Sequence, residues 1–303
     1  DVYKRQKSDR PGDERNLLLN DRQVKFEKYL TDAFSEKAVE FINESSQPFM
    51  MYLAYNAVHT PMQATDEDMA KFEGHPRQKL AAMTYALDRG VGTVIRGLKD
   101  SGKFDNTLIF FLSDNGGATT NQSSNYPLKG FKGNKFEGGH RVPYFVVWKN
   151  GIPAGKPYDG LVSSLDIFAT AIDAASISKT RNRLDGVSLL PYLKGKKGEP
   201  HKVLYWRKMD TRAIRSGDYK LIITHGVDSV LYNIRRDPEE MNNLINKEPD
   251  LYRKLAKKLA KWEKNECIEP SWLEEGWRKI TNRYHQQLMH NEIKTAQDLY
   301  KKK

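Results

Sequence analysis

A single cysteine in 303 residues, Cys267, excludes an internal disulfide and any zinc site built on several thiolates. No apolar run approaches the roughly 18 residues a membrane helix needs. The longest, Thr107–Leu112 and Tyr144–Trp148, are strand-sized. Aromatics are not interleaved with the lysine clusters at 254–264 and 301–303, as a base-stacking surface would require, so nucleic acid is not an expected partner. Internal repeats and low-complexity tracts are absent. Residues 1–15 (DVYKRQKSDRPGDER) hold neither an initiator Met nor an apolar leader, which reads as an N-terminally truncated fragment.

What the chain has is charge and strand-sized apolar segments. A net charge of +11 favours polyanionic partners through long-range attraction, and serves equally as a solvated basic surface. The length allows one large domain or two smaller ones with a substantial core. Helical stripes are predicted over Asp32–Glu44, on Phe34, Ala38, Phe41 and Ile42, and over Gln78–Lys99. The second carries Leu80, Met83, Leu87, Val91, Val94, Ile95 and Leu98, with Gly102 as its stop. Pro48–Ala54, Thr107–Ser113 and Tyr144–Trp148 read as strands, and Leu165–Ala175 as a helix. Alternation of strand and helix predicts an α/β fold with a parallel-sheet core and flanking crossover helices.

Beyond the Gly/Lys-rich Lys194–Pro200, short β-like runs at Val203–Trp206, Ala213–Arg215, Tyr219–Thr224 and Ser229–Tyr232 are punctuated by Gly217 and Gly226. Pro249–Trp262 follows with Leu251, Leu255, Leu259 and Trp262 on one face. This predicts a small C-terminal antiparallel sheet with one covering helix. The expected division is 1–198 (catalytic α/β domain), 199–265 (α+β subdomain) and 266–303 (basic tail).

Three segments carry chemistry. Strand Thr107–Ser113 breaks at Asp114-Asn115-Gly116-Gly117, placing a carboxylate and a carboxamide at a strand's carboxyl end, where α/β sheets bind ligands. Adjacent side-chain oxygens suit Ca²⁺ or Mg²⁺ better than zinc, although Asp-Asn-Gly-Gly is also an ordinary turn. Lys132, in Lys-Gly-Phe-Lys-Gly, can hold a tetrahedral oxyanion or simply be a solvated loop residue. His59, in Asn56–Pro61, follows the strand Pro48–Ala54 and can protonate a leaving-group oxygen or bind an anion.

In order along the chain, Pro48–Pro61 (PFMMYLAYNAVHTP), Leu112–Gly117 (LSDNGG), Leu128–Pro143, Leu165–Thr170, Arg215–Leu221 (RSGDYKL), Leu231–Asn233 and Asp237–Glu240 resemble the sulfatase family of the alkaline-phosphatase-like superfamily. The resemblance spans roughly residues 30 to 262. It implies a sulfuric ester hydrolase, arylsulfatase-like, acting on a sulfated carbohydrate. Asp114 and Asn115 would be Ca²⁺ ligands (Mg²⁺ the alternative) beside two earlier aspartates. Lys132 would neutralise sulfate oxygens and His59 would assist the leaving group. It also implies export to the periplasm or medium.

The family's nucleophile is a hydrated formylglycine made from Cys/Ser-x-Pro-x-Arg, and that motif is absent from residues 1–303. Cys267-Ile268-Glu269-Pro270 has an extra residue and no arginine. The expectation is therefore a fragment lacking its nucleophile and part of its metal site. A phosphodiesterase or phosphonate monoester hydrolase of the same superfamily, and a non-catalytic polyanion-binding remnant, are the alternatives.

Overall fold

The computed structural model describes residues 17–20, 22–24, 28–177, 183–267 and 275–301. The polar N-terminal stretch and most of the rejected Cys267–Pro270 segment lie outside these residues. Two compact units are present: residues 1–107 with 120–122, and residues 108–119 with 123–303.

In the first unit a short hairpin, β1 (Leu17–Leu19) and β2 (Arg22–Val24), precedes helix α1 (Leu30–Glu44). Helices α2 (Asp66–Ala70) and α3 (Gln78–Asp100) follow. The α1–α3 contact is made by small residues. A Cβ placed on Gly90 would lie 2.6 Å from Ser35 Oγ, and one on Gly97 would lie 2.8 Å from Val39 Cγ2. This corrects the expected large-residue stripe of α3. Ala82, Met83, Ala86, Gly90, Gly97 and Leu98 are buried, whereas Leu80, Leu87, Val91, Val94 and Ile95 are half-buried. Close helix approach selects the face with the least side-chain bulk.

Arg89 ties α1, α2 and α3 together. It donates to Asp68 at 2.6 Å and, as a fork, to both oxygens of Asp32 at 3.0–3.2 Å. Burial pushes the Asp68 carboxyl up, but Arg89 and the capping hydroxyl of Thr65 outweigh it and hold it below its usual range. Pro48–Ala54, expected as a strand, has no ladder partner among the described residues, and Met50 and Tyr52 are exposed.

The second unit begins with β3 (Ile109–Leu112), whose antiparallel partner is β4 (Tyr144–Val147), with Phe111 opposite Phe145. Between them lies the one-turn helix α4 (Glu137–His140). Helices α5 (Asp166–Ala174) and α6 (Leu190–Leu193) follow. The expected α/β class holds. The ladders among the described residues are antiparallel, and the expected parallel pairing is not found among them; each of β3 and β4 is paired along one edge only.

The C-terminal sheet is as expected. β5 (Val203–Lys208), β6 (Thr211–Ser216), β7 (Tyr219–Thr224) and β8 (Asp228–Asn233) form an antiparallel meander with Gly217 and Gly226 in left-handed turns. Strand alternation sends neighbouring residues to opposite faces. Ile214, Leu221 and Leu231 meet Leu255 and Leu259 of α7 (Pro249–Glu266). Tyr205 stacks on Trp262 at 4.9 Å. On the other face, Ala213, Ile222, Val230 and Tyr232 pack with Phe131, Phe136 and the chain from α8 (Glu275–Met289) to α9 (Asp298–Lys301). The basic tail is therefore partly a packed element, with Leu288, Met289, Ile293 and Ala296 buried.

Leu231 is fully buried under α7. Leu231→Ala is expected to cost about 2–5 kcal/mol, read as a fall in the urea midpoint. An unchanged midpoint would contradict this packing.

Candidate functional site

β3 delivers Ser113 and the Asp114–Gly117 turn, and the second glycine-rich segment closes over it. The Gly116 N–H donates to Gly139 O at 3.0 Å and the Lys132 N–H to Gly117 O at 2.9 Å. Asn125 bridges both segments. Its Oδ1 accepts from Gly117 N at 2.8 Å, and its Nδ2 donates to Gly130 O at 3.1 Å. The approach demands glycine, since a Cβ on Gly116 would sit 1.8 Å from Gly138 O. Gly130 occupies φ +92°, a left-handed conformation that glycine adopts without cost.

Asp114, Asn115 and Lys132 are thus brought into one loop assembly. Asp114 and Lys132 are exposed and Asn115 is half-buried, with Asn115 Nδ2 donating to Asp114 Oδ1. Both residues offer oxygens of the kind a hard cation takes. Two donors fall short of the roughly six to eight that Ca²⁺ collects, and no cluster of three His, Cys, Asp or Glu occurs among the described residues. They fit part of a shell.

His59 belongs to the first unit. Its N–H donates to Asn56 O at 2.8 Å, and Nδ1 lies 2.6 Å from the Thr60 carbonyl, which assigns the proton to Nδ1. Asn121 steadies the turn by donating to Val58 O at 3.1 Å.

What fixes the Lys132 loop is a buried ionic cluster. Lys220 of β7 lies 2.8 Å from Glu137 Oε1 and 3.0 Å from Glu240 Oε1. The Glu137 N–H donates to Glu240 Oε2 at 2.6 Å, and Arg215 flanks Glu137 at 3.6 Å. Lys129 donates to Glu240 O at 3.0 Å and Asn291 Oδ1 at 2.5 Å, with its ammonium 4.9 Å from the Phe136 ring centroid. Burial lowers the Lys129 ammonium to about 8.

The two carboxylates share one lysine and diverge. Burial and the Glu137 charge push Glu240 up to about 7, against the pull of Lys220. Burial also opposes the Glu137 charge, but Lys220, His140 and Arg215 prevail and hold its carboxyl low.

Glu137, Lys220 and Glu240 all lie in segments that carry the family resemblance, but the sequence assigns none of them a role. The available signal was a lysine inside the apolar run Tyr219–Thr224. Arg207 and Arg212 meet Glu263 at 3.3 and 3.0 Å on the α7 face. Trp206 faces the loop, where His140 lies on its ring at 4.5 Å.

Glu240, ionising with a raised value, contributes stability below about pH 4.5 that is lost as pH rises through about 7. The thermal midpoint of the parent relative to Glu240→Gln is therefore expected to fall between pH 5 and pH 8. A constant difference across that range would contradict the assignment.

Residues 1–177 match the family model described as Sulfatase, and residues 132–265 match that of N-sulphoglucosamine sulphohydrolase, C-terminal. The chain is 39% identical over 201 residues to the uncharacterized sulfatase YdeN of Escherichia coli (strain K12), covering 63% of this chain and 36% of that protein. It is 32% identical over 202 residues to N-acetylgalactosamine-6-sulfatase of Canis lupus familiaris, covering 64% and 38%. The crystal structure of Ps i-CgsB in complex with k-i-k-neocarrahexaose superposes with a TM-score of 0.78 at 36% identity, covering 90% of this chain and 63% of that one. The chain thus spans little more than a third of these two curated relatives.

Proposed function

The chain belongs to the sulfatase family, and from that premise we propose that it carries the oxyanion-binding part of a sulfuric ester hydrolase acting on a sulfated carbohydrate. The observation behind this reading is the 2.9 Å bond from Lys132 N to Gly117 O, which holds the backbone of the exposed Lys132 against the Asp114–Gly117 turn. An ammonium held on a fixed backbone can neutralise sulfate oxygens, most strongly as charge develops in the transition state.

His59, with Nδ1 engaged by Thr60 O, is assigned to the leaving-group oxygen through Nε2. Asp114 and Asn115 would hold part of the shell of a Ca²⁺ ion, which when bound would add positive charge at the sulfate. The Cys/Ser-x-Pro-x-Arg motif is absent from the sequence, so no covalent step is assigned to these residues. We further propose the division 1–198, 199–265 and 266–303, and a periplasmic or secreted setting for the parent protein. No helix among the described residues is long and apolar enough to cross a membrane.

Calorimetric titration with 4-nitrophenyl sulfate tests the reading. Lys132→Ala is expected to weaken binding about tenfold, with the circular dichroism unchanged. Turnover by the 303-residue chain is expected to stay at the uncatalysed rate. Unaltered affinity in Lys132→Ala, measurable turnover, or preference for the phosphate ester would each contradict it.

A further inference from the structure

The cations around the glycine-rich loop fall into two groups. Lys220, Lys129 and Arg215 are neutralised by Glu137, Glu240 or polar oxygens within the fold. Lys135 and Lys208 are not: among the described residues neither ammonium has a hydrogen bond or ion pair. Both are half-buried.

They nevertheless lie at the same loop, Lys135 two residues after the Gly133 that Lys208 approaches. Alternation along β5 places Lys208, like Trp206, on the face that carries the loop rather than the α7 face. A Cβ on Gly133 would lie 3.0 Å from Lys208 Nζ, so this ammonium rests against the residue after Lys132. Burial, and then the charges of Lys208 and Lys220, lower the Lys135 ammonium to about 8. Lys208 is lowered by burial and by Lys132. His140 also senses Lys135, and its Nδ1 is buried without a partner among the described residues.

Assembling like charges in a half-buried place, with no protein anion between them, is unfavourable for folding. An external anion would remove that cost. We propose that Lys135 and Lys208 form a binding site for a second sulfate group, carried by the same saccharide whose scissile sulfate Lys132 receives. The inference rests on the sulfatase reading of Lys132 and extends it to a preference for multiply sulfated substrates. Adjacency to Lys132 requires the two sulfates to lie within one small saccharide. The compact ammonium groups suit sulfate oxygens as point charges.

The test is calorimetric titration of the 303-residue chain at pH 7 and fixed ionic strength, with glucosamine 6-O-sulfate and glucosamine 2-N,6-O-disulfate as probes. The disulfated sugar is expected to bind about tenfold tighter. In Lys135→Gln/Lys208→Gln the preference should collapse to about one, with monosulfate affinity kept within about threefold. Lys208→Arg should restore part of the preference. Since neither lysine has a partner among the described residues, the thermal midpoint of the double variant should hold or rise, which separates loss of the site from loss of the fold. Equal affinities in the parent, or a preference surviving in the double variant, would overturn the inference while leaving the Lys132 reading intact. Should Lys132→Ala not weaken the monosulfate, the sulfatase reading fails separately.

Discussion

One lysine, Lys220, holds the glycine-rich loop to the rest of its unit. It is fully buried between Glu137, on the glycine-rich segment, and Glu240, in the chain that follows β8. A charged triad of this kind contributes little net stability against an apolar replacement, yet removing one member strands an uncompensated buried charge at about 3–5 kcal/mol. Its effect is to allow one placement of the loop: Glu137 sits at the start of α4, whose Gly138 N–H donates to Lys129 O and whose Gly139 O accepts from Gly116 N.

The sheet serves two surfaces with different jobs. Its α7 face is a hydrophobic seam edged by the Arg207–Glu263–Arg212 pairing. The opposite face presents Trp206, Lys208 and Lys220 to the loop. Under the proposed anion sites the C-terminal sheet would take a direct part in recognition, because β7 both buries Leu221 against α7 and sets the position of Lys220, and β5 sets that of Lys208. The chain from α8 to α9 completes this side, with Lys294 O accepting from the Gly130 N–H at 2.7 Å.

Much of this was legible in the sequence, for reasons that differ by element. The four C-terminal strands and their covering helix follow from period-two runs broken by Gly217 and Gly226 and from a leucine every fourth residue. Asp114, Asn115 and Lys132 could be named because a strand end and a glycine-rich loop leave local marks. The buried face of α3 was not legible: periodicity weighs bulk, whereas α1 selects Gly90 and Gly97 for close approach. Pro48–Ala54 has the composition of a strand, but a ladder depends on a neighbour that composition does not supply. Lys220 and Glu240 were hidden because their pairing joins positions far apart in sequence, as is true of Lys135 and Lys208.

The central claim is that the Glu137–Lys220–Glu240 cluster positions the loop bearing Lys132. Amide hydrogen exchange in the parent and in Lys220→Met, under conditions where both remain folded, tests it most directly. The account predicts that the amides of Gly116, Lys132 and Gly138 lose protection in the variant while those of β6 and β7 keep theirs. Unchanged protection at these three amides would contradict it.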